Sequence, residues 1–417
     1  MKTYRIANAM HPTLNPKRER YLLLTLSGIQ FSHILDFMIM MPLGPILMRE
    51  FGIGPHEFGF LVASYSFSAA LSGLLASTFV DKFERKRLLL TIFLLFGLAT
   101  LACGLSPNYL SLLIARGMAG AFGGIMGAMV QTLIGDLIPF ERRATASGIV
   151  SAAFSLSTVA GVPLSLWLAN HFQWRSPFLL IACITGVFLA VANRTLPDVR
   201  HHLSLDARAH PFSAMFEVLG DANHLRALIF TMLLLFSGFT VIPYITVYAV
   251  SNVGISLNDI PYVYLSGGAA TLFTSRRIGR IADAKGKMRI YRILAFAAIM
   301  PLFAVTHIGT APLWLWVSCT TAFFVLVSGR MIPAMAIITS AAVPRLRGTF
   351  MSLNAAMQQL ASGLAAMLAG LITSQGTSGQ LMGYDMVGYV AIAANLLAIA
   401  FVSRIVMHDQ RASPSSV

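Results

Sequence analysis

Charge is what this chain is short of. Of 417 residues only 11% are Asp, Glu, Lys or Arg, against about 25% in a soluble domain. Hydrophobic residues make up 56% and mean hydropathy is +0.73, which excludes a soluble globular protein and points to a polytopic membrane protein. Cysteine is scarce as well. Cys103, Cys183 and Cys319 fall inside apolar segments, read as small packing residues, and give no disulfide framework. No G-x-x-x-x-G-K-[ST] loop, H-E-x-x-H or C-x-x-C occurs, so nothing signals ATP drive, a metal or another cofactor. No nucleophile–base pair is visible either, and no enzyme is expected.

Acid is scarcer still within the apolar runs. Tyr21 to Met41 is almost wholly apolar and long enough to cross a bilayer as a helix. Asp36 stands in its middle. A charge at that depth costs about 2.5–3.5 kcal/mol on insertion scales. The other acids fall at predicted loops or helix ends, so Asp36 is the single deep carboxylate. His33 lies three residues earlier, on the same helix face. Two readings follow: a hydrogen bond to a neighbouring helix, or a functional proton site. The segment is too long for a signal-peptide core and lacks a small-residue cleavage site, so it reads as an uncleaved first span.

Hydropathy gives twelve spans, at 21–47, 57–80, 88–105, 109–134, 144–169, 175–193, 226–250, 259–282, 290–308, 313–337, 348–373 and 384–406. The chain therefore divides into an N-terminal tail (1–20), a six-helix bundle (21–193), a polar linker (194–225), a second six-helix bundle (226–406) and a C-terminal tail (407–417). The linker carries His201, His202, His210 and His224 at spacings that fit no common metal site. Within it Phe212, Met215, Phe216 and Leu219 make one apolar face, as a helix lying on the membrane surface would.

A net charge of +14 is a nucleic-acid signal in a soluble protein, but its distribution here says otherwise. With both termini inside, 26 of the 30 Lys and Arg lie on the cytoplasmic side, as the positive-inside rule requires. The basic charge is topology, and no nucleic-acid partner is expected. Arg116 and Arg330 lie within spans.

The two halves repeat. Asp81 and Asp283, each with basic followers, are 202 positions apart. Pro139–Ser147 (PFERRATAS) matches Pro344–Ser352 (PRLRGTFMS) at an offset of 205. Six helices repeated in the same orientation predict an all-α membrane protein of two bundles related by a pseudo-two-fold axis along the membrane normal, with substrate bound at their interface.

The loop after span 2 runs from Ser77 through Asp81-Lys82-Phe83-Glu84-Arg85-Lys86-Arg87, and the one after span 8 reads Gly279-Arg280-Ile281-Ala282-Asp283-Ala284-Lys285-Gly286-Lys287. Both resemble the G-x-L-a-D-R-x-G-R-[KR] signature of the major facilitator superfamily, with Ser77 and Glu84 in place of glycines in the first copy. The resemblance implies a conformational latch at the cytoplasmic helix ends, drawn from Asp81, Lys82, Arg85, Asp136, Arg142, Arg280, Asp283 and Lys287. Span 4 carries Arg116-Gly117-Met118-Ala119-Gly120, similar to the family's R-x-x-x-G motif. Gly120, Gly123, Gly124 and Gly127 add G-x-x-x-G pairs that read as close helix packing. Span 5 has Gly161-Val162-Pro163-Leu164 and then Trp174-Arg175-Ser176-Pro177-Phe178, resembling the antiporter motif of the bacterial drug and sugar efflux branch. Pro163 should kink that span.

These features predict a proton-coupled exporter of small apolar or amphiphilic molecules, a monomer in the lipid bilayer of a bacterial inner membrane. Asp36 with His33 and Arg116 would couple the proton. Gln30, Met40, Phe239, Tyr244, Arg330, Asn354 and Gln358 are candidates for the substrate cavity, with Arg330 expected nearer the cytoplasmic side. A proton symporter for a sugar or organic acid, a lysolipid transporter of the same fold and a non-transporting membrane sensor are the other readings.

Overall fold

The computed structural model describes residues 15–198 and 211–407. Nearly all of it is helix: α1 (Pro16–Ile39), α2 (Gly44–Phe51), α3 (Pro55–Phe79), α4 (Arg85–Gly104), α5 (Tyr109–Leu137), α6 (Phe140–Leu156), α7 (Val162–His171) and α8 (Ser176–Thr195). The second half holds α9 (Pro211–Gly220), α10 (Ala222–Phe239), α11 (Ile245–Tyr248), α12 (Ile260–Lys285), α13 (Lys287–Ala297), α14 (Ile299–His307), α15 (Leu313–Ala341), α16 (Arg347–Ile372) and α17 (Tyr384–Phe401). Among the described residues eleven segments are long and apolar enough to cross a membrane. The twelfth expected span is α12. It is 26 residues long, but Arg276, Arg277, Arg280, Asp283 and Lys285 crowd its second half.

Several spans are interrupted where hydropathy reads them as continuous. The first is two helices separated by a turn at Met40–Leu43. Pro42 removes an N–H and its ring clashes with the carbonyl four residues back, which ends α1. In span 5 a π-turn, Ser157–Gly161, precedes Pro163, and the Val162 N–H donates to the Ser157 carbonyl five residues earlier. The helix departs from α geometry immediately ahead of the proline, which has no N–H to donate. Span 7 breaks at Pro243 into a 3₁₀ turn, Ile242–Tyr244, then α11 and a π-turn, Ala249–Val253. Span 9 divides at Ala298 into α13 and α14.

Contacts sort the chain into two compact units. Unit 1 comprises Met1–Met40 and Phe67–Ala207; unit 2 comprises Met41–Ser66 and Arg208–Val417. In unit 1, α4 packs on α5 and α8, and α1 packs on α6 and α8. In unit 2, α12 and α13 pack on α15, while α10 packs on α16 and α17. The expected surface helix is α9. Val218 is buried, Phe216 is exposed, and Glu217 forms an ion pair with Arg345 ahead of α16. A short hairpin, β1 (Ser374–Gln375) with β2 (Leu381–Met382), was not legible in the sequence. Asn252 fastens it, its side chain accepting from the Leu381 N–H at 2.8 Å and donating to the Leu381 carbonyl at 3.1 Å. Of the cysteines only Cys103 is buried; Cys183 is exposed and all three are free.

Candidate functional site

The deep carboxylate and the deep cation of unit 1 meet. Asp36 on α1 and Arg116 on α5 are fully enclosed, at 0% and 1% exposure. The Arg116 guanidinium donates from Nη1 to Asp36 Oδ2 at 2.8 Å and to the Asp36 backbone carbonyl at 3.2 Å. Thr100 Oγ1, from α4, donates to Asp36 Oδ1 at 3.3 Å. One carboxylate thus ties three helices together. A charge-assisted bond at this distance is among the stronger interactions available to a buried acid. His33 sits one turn earlier on α1 and is half-buried. Its ring lies 6.3 Å from that of Phe96, one turn before Thr100 on α4, so α1 presents two successive polar groups to one face of α4. Thr100 had no signal in the sequence, because a hydroxyl in an apolar helix usually bonds its own backbone.

Close backbone approach supports this bundle. A Cβ on Gly124 would run into the Ala69 carbonyl and come within 2.8 Å of the Ala69 Cα, so α5 and α3 cross with no room for a side chain. Gly127 faces open space and is not part of that crossing.

The latch residues are placed less uniformly. Arg85 is buried; its Nε lies 3.2 Å from Asp136 Oδ2 and Nη1 donates to the Val80 carbonyl at 3.1 Å. Arg142 pairs with Glu19 at 2.9 Å, a partner missed in the sequence. Lys82 is exposed. The Asp81 side chain lies outside the described residues. Arg280 and Asp283 are exposed, Lys287 is half-buried, and among the described residues none of the three forms an ion pair. The two repeat loops also turn differently. Gly286 adopts φ +94°, which favours glycine. Glu84 in the equivalent place has φ −62° and caps α4, accepting from the Lys86 and Arg87 N–H groups. A carboxylate cap replaces the glycine turn.

Of the cavity candidates, Gln30 and Met40 lie on or just beyond α1 in unit 1, Gln30 half-buried and Met40 buried. The others lie in unit 2. Phe239 and Gln358 are half-buried. Tyr244, Arg330 and Asn354 are wholly buried. Tyr244 Oη donates to the Pro55 carbonyl at 2.7 Å, and Asn354 Oδ1 accepts from Thr231 Oγ1 at 2.6 Å. Arg330 donates to Asn395 Oδ1, to Ser237 Oγ and to the Leu234 carbonyl. A cavity of about 400 Å³ in unit 2, which no sequence signal marked, is lined by Met48, Arg49, Val247, Val250, Ser251 and Gln375 among others. No group of three or more metal-ligating residues occurs among the described residues.

The chain is similar to known proteins in sequence and fold. The chain is 27% identical over 256 residues to a probable sugar efflux transporter of Mannheimia succiniciproducens, covering 61% of this chain and 63% of that one. It is 23% identical over 373 residues to multidrug resistance protein 2 of Bacillus subtilis, covering 87% and 91%. A crystal structure of a bacterial homologue of the human lysosomal transporter Spinster superposes with a TM-score of 0.72 at 16% identity, over 94% of this chain and 98% of that one. The Major Facilitator Superfamily profile matches residues 26–366, more than three quarters of the chain, and the chain belongs to that superfamily of transporters.

Proposed function

We propose that this protein is a proton-coupled exporter of small apolar or amphiphilic molecules, working by alternating access in a bacterial inner membrane with both termini in the cytoplasm. The observation that carries the reading is the enclosed Asp36–Arg116 pair with Thr100. A proton arriving on Asp36 removes the charge that pairs with Arg116 and leaves the guanidinium on neutral acceptors such as the Asp36 backbone carbonyl. The hydroxyl of Thr100 accepts as readily as it donates, so it serves either protonation state. Three helices held by one titratable group are a two-state element that a proton biases. Export is supported by the Gly161–Leu164 and Trp174–Phe178 segments and by the efflux and multidrug-resistance names of the relatives. One chain carries all of these groups.

Everted membrane vesicles test it. Respiration acidifies their interior, and a pH-sensitive dye reports the gradient. Compounds from a toxicity panel that the protein exports should collapse part of the gradient in vesicles containing it and leave control vesicles unchanged. If instead compound and protons enter right-side-out vesicles together, the protein is a symporter and the export reading fails. Compound binding with no movement of compound or protons would make it a sensor.

A further inference from the structure

The transport reading leaves the charge of the substrate open, and the buried charges of the two units bear on it. Among the described residues the charged side chains deep in the spans are Asp36, Arg116 and Arg330. In unit 1 the first two neutralise each other. In unit 2 Arg330 has no acid. Its guanidinium is held by neutral oxygens only: Asn395 Oδ1 from α17, Ser237 Oγ at 2.5 Å and the Leu234 carbonyl at 3.4 Å from α10. Asn395 is in turn locked, its Nδ2 donating to the Ala295 carbonyl of α13 at 2.6 Å. The Arg330 Nε has no partner among the described residues.

The acids of unit 2 lie elsewhere. Asp221 caps α10, Glu57 and Asp385 sit in the first turns of α3 and α17, Asp259 precedes α12 and Asp283 lies in its last turn. Glu50 is near the end of α2 and Glu217 is on α9. The cavity of unit 2 repeats the pattern, since Arg49 is the one charged residue in its lining. An arginine stays protonated even when buried, and in a low-dielectric interior its field reaches far beyond hydrogen-bond range. Unit 2 therefore carries a buried positive charge with no ion-pair partner among the described residues. Among the described residues no deep acid is left unpaired to receive a cation.

We propose, resting on the transport reading, that this protein selects substrates without a positive charge: neutral or anionic amphiphiles are accepted and lipophilic cations are rejected. Arg330 sets the selection by its field and is a specificity-determining residue that need not touch the substrate.

Tetraphenylborate and tetraphenylphosphonium are nearly identical in size and apolar surface and opposite in charge. Their binding to the purified protein in nanodiscs is measured by equilibrium dialysis, with empty nanodiscs of the same lipid subtracted. The protein should retain the borate about tenfold or more above the phosphonium, as one uncompensated charge in a poorly screened interior requires. Arg330→Gln should narrow that ratio several-fold, and Arg330→Lys, which keeps the charge, should preserve it. Equal retention, preference for the phosphonium, or a ratio unchanged in Arg330→Gln overturns the proposal. If Arg330→Gln does not fold, the wild-type ratio and Arg330→Lys still decide. Retention of neither ion also overturns it while leaving the export reading to the vesicle experiment. A failed vesicle experiment with the expected ion ratio would sink the export reading alone.

Discussion

Arg116→Gln leaves the Asp36 carboxylate enclosed without its cation, while Asp36→Asn leaves the guanidinium facing a neutral amide and the backbone carbonyl at position 36. Each single change breaks a buried ion pair and should destabilise unit 1 by about 3–5 kcal/mol. The double variant Asp36→Asn/Arg116→Gln removes both charges together and puts two hydrogen-bonding amides of similar volume in the same space. Replacing a whole buried pair by neutral groups is often close to neutral, so the double variant should be more stable than either single one. With about 3–5 kcal/mol lost in each single variant and little in the double, the coupling energy should reach about 6–10 kcal/mol, far above the roughly 0.5 kcal/mol scatter expected for independent sites. Reversible unfolding in mixed micelles, followed by the fluorescence of the four tryptophans, measures all four corners of the cycle. Destabilisation that simply adds, with the double variant the least stable, would show that the two residues act separately, and the reasoning about a shared titratable lock would fall.

Three further outcomes follow from other contacts. Gly124→Val places a side chain against the Ala69 backbone, so α3 and α5 must separate; the variant should lose about 1–3 kcal/mol of stability by the same unfolding assay, as overpacked sites do, whereas Gly127→Val, facing open space, should be nearly neutral. Glu84→Ala removes the cap of α4 and should cost about 1 kcal/mol, with Glu84→Asp recovering part of it; an unchanged unfolding midpoint would remove the cap from the account. Asp136→Asn removes the carboxylate that Arg85 Nε meets at 3.2 Å, and if that pair belongs to a latch the variant should exchange between states at a changed rate while substrate affinity holds; equal loss of binding and transport would make the pair structural.

The parts of the fold legible in the sequence are those written in long apolar runs. A single acid in such a run pointed to Asp36, and a permanent cation in another pointed to Arg116, because hydrocarbon makes each conspicuous. Their meeting was suggested by the family resemblance; the third partner, Thr100, was hidden because a hydroxyl does not disturb hydropathy. The same averaging concealed the breaks at Pro42 and Pro243, since a window that measures apolarity is blind to a missing N–H, and it concealed the division at Ala298 as well. Pro163 was conspicuous in the sequence as a helix-disturbing residue, but the π-turn just ahead of it was not. Glu84 in place of a glycine looked like a departure from the signature and is a different solution to starting α4. Arg330 stood out in the sequence, yet its neutral partners Asn395 and Ser237 come from two other helices, and no local pattern announces them. The hairpin that Asn252 fastens is too short to register as strand.

The most direct test of the account is transport by purified Asp36→Asn reconstituted in liposomes with an imposed pH gradient, using a compound identified in the vesicle screen. Because the buried pair makes this substitution costly, Asp36→Asn/Arg116→Gln is measured beside it. The account predicts that gradient-driven accumulation is lost in both variants while exchange of substrate down its own gradient persists in whichever folds. Accumulation at the wild-type rate with the carboxylate gone would contradict it and make Asp36 a structural tie between α1, α4 and α5.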